Sequence, residues 1–188
     1  MKSAAFIPIK SYSERVNNKN FNIIRGRKLY EHIILKAIKS KCFDEVFVDT
    51  DSDEIKTFCE GKANVIDRLP LLAKDDANGN DLLKYHYCQY PDYDLYFQLF
   101  ATSPFLTIDT ISKCVTILTT SKQHDSILTV SKEPGWYWLN DQPVNFRPGI
   151  LPRSQDAKHI LKETTGLYGI TRQSLHKYGC RTGSNPYM

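Results

Sequence analysis

Residues 4–9 read Ala-Ala-Phe-Ile-Pro-Ile, and residues 10–20 continue Lys-Ser-Tyr-Ser-Glu-Arg-Val-Asn-Asn-Lys-Asn. The first stretch is apolar enough to be a buried β-strand. The second is a polar loop in which Lys10, Arg15 and Lys19 fall within ten residues. Such a loop can surround phosphate groups, because its cations neutralise their charge and its backbone N–H groups donate hydrogen bonds. A solvated basic loop is the alternative, since no Gly-x-x-x-x-Gly-Lys-Ser/Thr motif is present.

Strand and helix patterns alternate beyond this loop. Further strands are predicted at residues 45–48, 63–66, 94–100, 126–130 and 167–170, and helices at residues 30–38, 53–58, 81–89, 108–118 and 172–178. This order predicts an α/β fold with a mainly parallel sheet and helices on both faces. Ligands of such sheets bind outside the carboxyl ends of the strands, near a topological switch point. The loop at residues 10–20 is therefore the first candidate for a site.

The composition is typical of one globular domain covering residues 1–188. Of the 188 residues, 41% are hydrophobic and 24% are charged, and no run approaches the roughly 18 apolar residues of a membrane span. The apolar N-terminal stretch is too short for a signal peptide. The five cysteines are scattered without a Cys-x-x-Cys pair, which favours a cytoplasmic protein over a disulfide or zinc framework. Residues 132–152 hold two Trp, four Pro and two Gly, and are predicted to be a loop or hairpin excursion.

The charge is distributed unevenly along the chain. Residues 1–41 hold ten Lys/Arg and two Glu, whereas residues 42–188 hold fifteen Lys/Arg and nineteen Asp/Glu. This asymmetry indicates an anionic partner near the N-terminus, either nucleic acid or a phosphorylated small molecule. Because the basic residues lie in one loop and one helix rather than along a stripe, we expect a small molecule and no nucleic acid.

Six short segments, spread over nearly the whole chain, carry a resemblance to a known family. They are residues 7–20, where I-P-I-K is followed by S-E-R and K-N; 42–51, C-F-D-E-V-F-V-D-T-D; 68–77, with R-L-P and L-A-K-D-D-A; 102–104, T-S-P; 152–155, P-R-S-Q; and 166–168, G-L-Y. Their order resembles that of the CMP-sialic acid synthetases, the acylneuraminate cytidylyltransferase family.

The resemblance implies a Rossmann-like nucleotidyltransferase fold and an enzyme that transfers CMP from CTP to a sialic-acid-like 2-keto-3-deoxy sugar acid, releasing pyrophosphate. It also implies a homodimer and Mg²⁺, whose aspartate ligands are expected in a final strand and acidic segment beyond Met188. Metal ligands within the chain are unknown, because Asp51 and Asp53 fit the start of a helix more simply. Two alternatives stay open: a nucleotidyltransferase for another sugar or polyol phosphate, and a catalytically inactive nucleotide-binding relative.

The resemblance also assigns residues to the nucleotide. The triphosphate and ribose are expected to contact Lys10, Ser13, Arg15, Lys19 and Asn20, of which the three cations are also expected to be catalytic. The cytosine base is expected to contact Arg68, Ala77, Asn78 and Asn80. An Asn-Gly-Asn sequence before an apolar periodic stretch is also typical of a turn and helix cap, so this alternative stays open for both asparagines. Gly79 stands where the family has a serine, which leaves a side-chain donor missing.

The remaining assignments concern the sugar acid and catalysis. The family's glutamine two residues before T-S-P is replaced by Phe100, so Gln98, which shares a strand face with it, is expected to serve as a catalytic residue instead. The alternative is a glutamine that forms hydrogen bonds inside the sheet. By resemblance, the sugar acid is expected to contact Thr102, Arg153, Gln155 and Thr165, and the arginine fork suits its carboxylate.

Overall fold

The computed structural model describes residues 1–13, 16–74 and 76–188. The helices are α1 (Leu29–Ser40), α2 (Asp53–Cys59), α3 (Pro70–Ala73), α4 (Gly79–Gln89), α5 (Ile108–Thr120) and α6 (Arg172–Tyr178), with a 3-10 helix at Lys19–Phe21. The strands are β1 (Ser3–Ile9), β2 (Ile23–Ile24), β3 (Arg27–Lys28), β4 (Glu45–Thr50), β5 (Asn64–Asp67), β6 (Leu95–Leu99), β7 (Ser126–Glu133), β8 (Trp138–Leu139), β9 (Gln142–Pro143), β10 (Ile160–Thr171) and β11 (Pro186–Tyr187).

Seven of these strands form the central sheet, in the order β11-β7-β10-β6-β1-β4-β5. β1 pairs in parallel with both β4 and β6, and β4 pairs in parallel with β5. β10 runs antiparallel to β6. The predicted mainly parallel sheet is therefore confirmed.

The side chains of β1 alternate between two cores, as the period of two in a strand requires. Ala5, Ile7 and Ile9 point into the larger core, which is completed by apolar residues of α1, α2 and α5. Ala4 and Phe6 point into the other core, with Leu83 of α4 and Leu175 of α6. Helices therefore cover both faces of the sheet, as the sequence predicts.

The topological switch point lies at the carboxyl end of β1. The chain passes from β1 to β4 and β5 on one side, and then crosses to β6 on the other side. The pairing of β1 with β6 ends at Phe6 and Gln98, two residues before Pro8, which has no N–H group to donate. The carboxyl ends of the two strands are therefore free to separate, and the loops that follow them face a common crevice.

The predicted regular elements are all present, with differences at their ends. β10 starts at Ile160, well before the predicted start at residue 167, and β7 continues to Glu133. The two-residue hairpins β2-β3 and β8-β9 were not expected, since such short strands show no measurable alternation. The resemblance places a final strand beyond Met188, whereas Pro186–Tyr187 already pair in parallel with Ser126 and Ile127 at the sheet edge.

The residues Thr129–Thr164 form a second compact unit, distinct from Met1–Leu128 with Thr165–Met188. The predicted excursion at residues 132–152 lies within it. The unit is held by side chains that bind backbone carbonyls: the Trp136 indole donates to Pro152 O at 3.1 Å, and the Asn145 amide donates to Gly135 O and Lys158 O. Within the described residues, no helix is long and apolar enough to cross a membrane.

Gly169 of β10 lies against a side chain of the neighbouring strand. A Cβ at this position would be 2.7 Å from Cδ1 of Phe97 and 2.9 Å from Cγ2 of Ile127. Gly169→Ala should therefore overpack the core and lower the free energy of unfolding by about 1–3 kcal/mol. The double variant Gly169→Ala/Phe97→Leu should lose less free energy of unfolding than the two single variants lose in sum, because the smaller Leu side chain makes room for the methyl group. Denaturant unfolding measures all three variants, and strict additivity would contradict the contact.

Candidate functional site

A cleft of about 440 Å³ opens at the carboxyl ends of β1 and β6, where the switch point predicts it. Its walls come from the loop after β1, the segment between β5 and α4, and the residues after β6. The described lining residues are Pro8, Lys10, Ser13, Lys19, Asn20, Arg68, Leu72, Lys74, Ala77, Asn78, Gly79, Leu82, Phe100, Ala101 and Thr102. Eight predicted site residues are among them, so segments far apart in sequence converge here.

Hydrogen bonds hold the basic loop at both of its ends. The Ser11 N–H and hydroxyl donate to the two carboxylate oxygens of Asp51, at 2.6 and 2.8 Å. The Asn20 side chain donates to Lys10 O at 2.9 Å, which closes the loop on itself. Asp51 thus anchors a loop rather than beginning a helix, and the cap of α2 is Ser52. The anchors hold Lys10 and Lys19 at the cleft.

The cleft is cationic. Lys10, Lys19, Arg68 and Lys74 all line it, and the described lining residues include no carboxylate. α4 also begins there, and the N-terminus of a helix carries partial positive charge. An anion entering the cleft therefore meets fixed positive charge from three separate segments.

A buried carboxylate holds one of these cations in place. Asp49, at 0% side-chain exposure on β4, accepts from Arg68 Nε at 2.7 Å and lies 2.6 Å from Nε2 of the fully buried His86. Arg68 Nη2 also donates to the Asp49 carbonyl at 3.0 Å. The His86 ring stacks on Phe6 with the centroids 4.6 Å apart. One side chain therefore joins β4, the residue after β5, and α4.

The Asp49 carboxylate is kept ionised by its partners. Burial alone raises the pKa of a carboxyl group, but the hydrogen bond from His86 and the charge of Arg68 outweigh it, so the pKa of Asp49 lies below its usual value. The Asp49–Arg68 ion pair is thus intact at neutral pH. Two of the five Arg68 N–H groups are used on Asp49, and Arg68 is one of the residues that line the cleft.

Asn78 is the cap of α4, as its sequence context also suggested. Its side-chain oxygen accepts from Asn80 N at 2.8 Å and Asp81 N at 3.4 Å. The Asn80 side chain accepts from the backbone N–H of Arg181 at 3.1 Å. Contact of these asparagines with a base stays a prediction, and of the two only Asn78 is among the described residues that line the cleft.

Gln98 does not face the cleft. It is fully buried, and its amide donates to Gly79 O at 3.0 Å, at the first residue of α4. Its catalytic role stays a prediction, and the residue is not among the described residues that line the cleft. β6 is regular as far as Leu99. The alternative, a glutamine that forms hydrogen bonds inside the sheet, differs from the observed contact in its partner, because Gly79 belongs to α4 rather than to the sheet.

The residues expected to contact the sugar acid lie in different places. Thr102 lines the cleft. Arg153 and Gln155 belong to the Thr129–Thr164 unit, where the largely exposed Arg153 pairs with Asp156 at 2.6 Å. Thr165 has a φ of 54°, a left-handed backbone conformation that is unusual for a β-branched residue and is found at strained functional positions. Its contact with the sugar acid stays a prediction. Arg15 lies outside the described residues.

Sequence reasoning missed Asp49, His86 and Arg181. A charged residue in the buried strand V-F-V-D required a partner, and this signal pointed to Asp49. Nothing in the pattern of α4 marks His86, because its partner lies 37 residues away. Arg181 lies beyond the last predicted helix, and no periodic signal places it.

The described residues provide no metal centre of their own. No group of three His, Cys, Asp or Glu side chains among them is arranged to hold a metal ion. Asp51, the carboxylate that contacts the basic loop at Ser11, already accepts two hydrogen bonds there. The Mg²⁺ implied by the resemblance therefore has no ligand set of three such side chains among the described residues.

Comparison with known proteins finds a matching family model and similar sequences over nearly the whole chain. A family model described as Cytidylyltransferase matches residues 4–180. N-acylneuraminate cytidylyltransferase A of Danio rerio is 25% identical over 193 residues, which covers 98% of this chain and 45% of that protein. N-acylneuraminate cytidylyltransferase of Streptococcus agalactiae serotype III is 32% identical over 178 residues, covering 93% of this chain and 40% of that protein. The chain thus spans less than half the length of both relatives.

A solved structure supports the fold. The structure of CMP:2-keto-3-deoxy-manno-octonic acid synthetase complexed with CTP superimposes with a TM-score of 0.70 at 20% identity. The match covers 95% of this chain and 77% of that one. The predicted nucleotidyltransferase fold is confirmed.

Asp49→Asn tests the buried ion pair. The amide keeps the shape of the carboxylate but leaves the Arg68 charge without a counter-ion, so the free energy of unfolding should fall by about 3–5 kcal/mol. Asp53→Asn is the matched control: its side chain is 98% exposed, and the change should cost less than about 0.5 kcal/mol. Equal effects of the two substitutions in denaturant unfolding would show that Asp49 is not a structural centre.

The pH dependence of stability should follow from the same carboxylate. Because the pKa of Asp49 is lowered in the folded protein, its stabilisation is complete above the unfolded pKa of about 3.9 and is lost as the pH falls through the folded value. The free energy of unfolding should therefore decrease as the pH falls below about 4, more steeply in the wild type than in Asp49→Asn. Urea titrations at a series of pH values measure both slopes, and identical slopes would contradict the lowered pKa.

Proposed function

The chain belongs to the cytidylyltransferase family, and we propose that it transfers CMP from CTP to a sialic-acid-like 2-keto-3-deoxy sugar acid with release of pyrophosphate. The observation that carries the proposal is the cationic cleft at the switch point, in which Lys10, Lys19 and Lys74 converge beside the start of α4. A nucleoside triphosphate is a ligand with the charge and the size for such a cleft.

The proposed reaction is an in-line displacement at phosphorus. A hydroxyl oxygen of the sugar acid forms a bond to the α-phosphorus, the bond from this phosphorus to the pyrophosphate oxygen breaks, and the hydroxyl proton passes to solvent. Negative charge builds up on the leaving pyrophosphate, and Lys10 and Lys19, which line the cleft, are proposed to stabilise it. The divalent metal that family members typically use would, when bound, neutralise further phosphate charge.

The base is proposed to lie toward the start of α4. Arg68 and Ala77 border the cleft there, together with Asn78 and the backbone of Gly79. Asp49 fixes the Arg68 guanidinium in one orientation, so its remaining N–H groups form a rigid donor for acceptors on a base. A ring with acceptors at O2 and N3, as in cytosine, suits this donor better than uracil, whose N3 carries a hydrogen.

A homodimer is also proposed. The Thr129–Thr164 unit exposes Trp136, Trp138 and Leu139, and large aromatic residues are enriched at interfaces. Sedimentation equilibrium distinguishes a dimer from a monomer directly.

The function is tested by pyrophosphate release from CTP or UTP with Mg²⁺ and either N-acetylneuraminate or 3-deoxy-manno-octulosonate. We expect release with CTP and a sugar acid together, and much less with UTP. Release that needs a sugar phosphate or polyol phosphate would favour the alternative acceptor class. Tight CTP binding without release under any condition would favour a catalytically inactive relative. Equal use of CTP and UTP would contradict the cytidylyltransferase proposal.

Lys19 is the cation whose loss should be most informative. If Lys19 stabilises the leaving pyrophosphate, Lys19→Ala should lower turnover by roughly 100-fold, the scale for removing one stabilising group from a transition state. Lys19→Arg should restore only part of the rate, because a planar fork does not reproduce a point charge. Melting temperature should change little, since a loop lysine contributes less than about 0.5 kcal/mol to folding.

The control is Lys39→Ala, which removes an exposed lysine of α1. Steady-state kinetics and melting curves of Lys19→Ala, Lys19→Arg and Lys39→Ala measure turnover and stability separately. Turnover of Lys19→Ala equal to that of Lys39→Ala would remove Lys19 from the proposed site.

A further inference from the structure

The Arg181 guanidinium contacts two aromatic rings, and one of them, Phe100, lines the cleft. It lies over the ring of Phe100 with its carbon 5.8 Å from the centroid, and over the ring of Tyr168 at 4.2 Å. A Cβ on Gly79 would come within 2.6 Å of Arg181 Nη1, so the guanidinium fills the space that a side chain at residue 79 would take. The absence of a side chain at Gly79, whose own position lines the cleft, is what admits the cation.

Arg181 is held firmly in this position. Its backbone N–H donates to the Asn80 side chain. The chain just beyond it is bound by the Asp125 carboxylate, which accepts from the backbone N–H groups of Ser184 at 2.8 Å and Asn185 at 3.0 Å. Burial raises the pKa of the Asp125 carboxyl, but these backbone hydrogen bonds outweigh it and keep the carboxylate charged. The two aromatic rings then fix the plane of the guanidinium.

The positive charge of Arg181 has no counter-ion among the described residues. Within residues 1–13, 16–74 and 76–188 it forms no ion pair, and no side chain or carbonyl there accepts a hydrogen bond from it. The fully buried Gln98 Oε1 has no hydrogen-bond partner in the same part of the chain, and it would lie 3.2 Å from the same Cβ on Gly79 that Arg181 Nη1 would approach. A half-buried cation with a preset plane and unused donors is suited to a planar anion.

Two anionic groups enter the proposed reaction: the triphosphate of CTP and the carboxylate of the sugar acid. The triphosphate is already matched by the lysines of the cleft. Arg153, expected from the sequence to take the carboxylate, is paired with Asp156. Resting on the proposed function, we propose that Arg181 is the residue that binds the sugar-acid carboxylate, through its two parallel N–H donors.

Calorimetry with N-acetylneuraminate tests this, in the presence of CTP and with divalent metal chelated so that no transfer occurs. Arg181→Gln should weaken sugar-acid binding by about 10- to 100-fold, as expected for a lost hydrogen-bonded charge pair. Arg181→Lys keeps a positive charge over the rings but loses the planar fork of donors. Its affinity for the sugar acid should therefore lie between that of the wild type and that of Arg181→Gln. Arg172→Gln, which removes an exposed arginine of α6, should match the wild type. CTP affinity, measured alone, should stay within about twofold in every variant.

A second ligand isolates the carboxylate without relying on a variant. The methyl ester of N-acetylneuraminate should bind the wild type about 10- to 100-fold more weakly than the acid does. On Arg181→Gln, the ester and the acid should bind with equal affinity. Unchanged acid binding in Arg181→Gln, or an ester penalty that persists there, would overturn the assignment. A loss of CTP affinity instead would assign Arg181 to the triphosphate.

The failure of the proposed function would look different. A wild-type protein that binds CTP but neither N-acetylneuraminate nor 3-deoxy-manno-octulosonate would overturn the carboxylate site and leave nucleotide transfer to another acceptor. A protein that binds no CTP would contradict the proposed function itself.

Discussion

The arrangement of the cleft depends on one buried carboxylate, that of Asp49. Its two oxygens engage Arg68 and His86, which come from different segments of the chain. An ionised carboxylate is costly to bury, so the structure holds only while both partners are present. This interaction fixes the first residue after β5 and the middle of α4 relative to the centre of the sheet. It thereby sets the width of the cleft on the side where we propose the base to bind.

The sheet topology supplies the other wall. Because β1 and β6 part after Phe6 and Gln98, the loops that follow them face a shared space, and the basic loop enters it. Ser11 and Asn20 hold that loop by hydrogen bonds that leave Lys10 and Lys19 at the cleft. Gln98 of β6 holds the first residue of α4 by donating a hydrogen bond to Gly79 O. These hydrogen bonds thus position the loop and α4 at the cleft, whose described lining residues include no carboxylate.

Much of the fold and part of the site could be predicted from the sequence. The period of two in β1 and the helical period of α1 follow from local apolar spacing, and the convergence of Lys10 and Thr102 follows from the rule for carboxyl strand ends. The roles of Gln98 and Arg153 could not be predicted, because each depends on a specific partner, Gly79 or Asp156, that spacing does not reveal. Arg181 illustrates the same limit, since only the folded chain brings it beside a glycine about a hundred residues earlier.

The central claim is that the switch-point cleft holds the triphosphate against the basic loop, with the acceptor at the Phe100 side. A crystal structure of the protein with CTP and a sugar acid, under conditions that prevent transfer, tests it most directly. The account predicts triphosphate density in contact with Lys10 and Lys19, the base beside Arg68 and the start of α4, and the acid carboxylate on Arg181. Nucleotide density outside this cleft, or a triphosphate that contacts neither lysine, would contradict it.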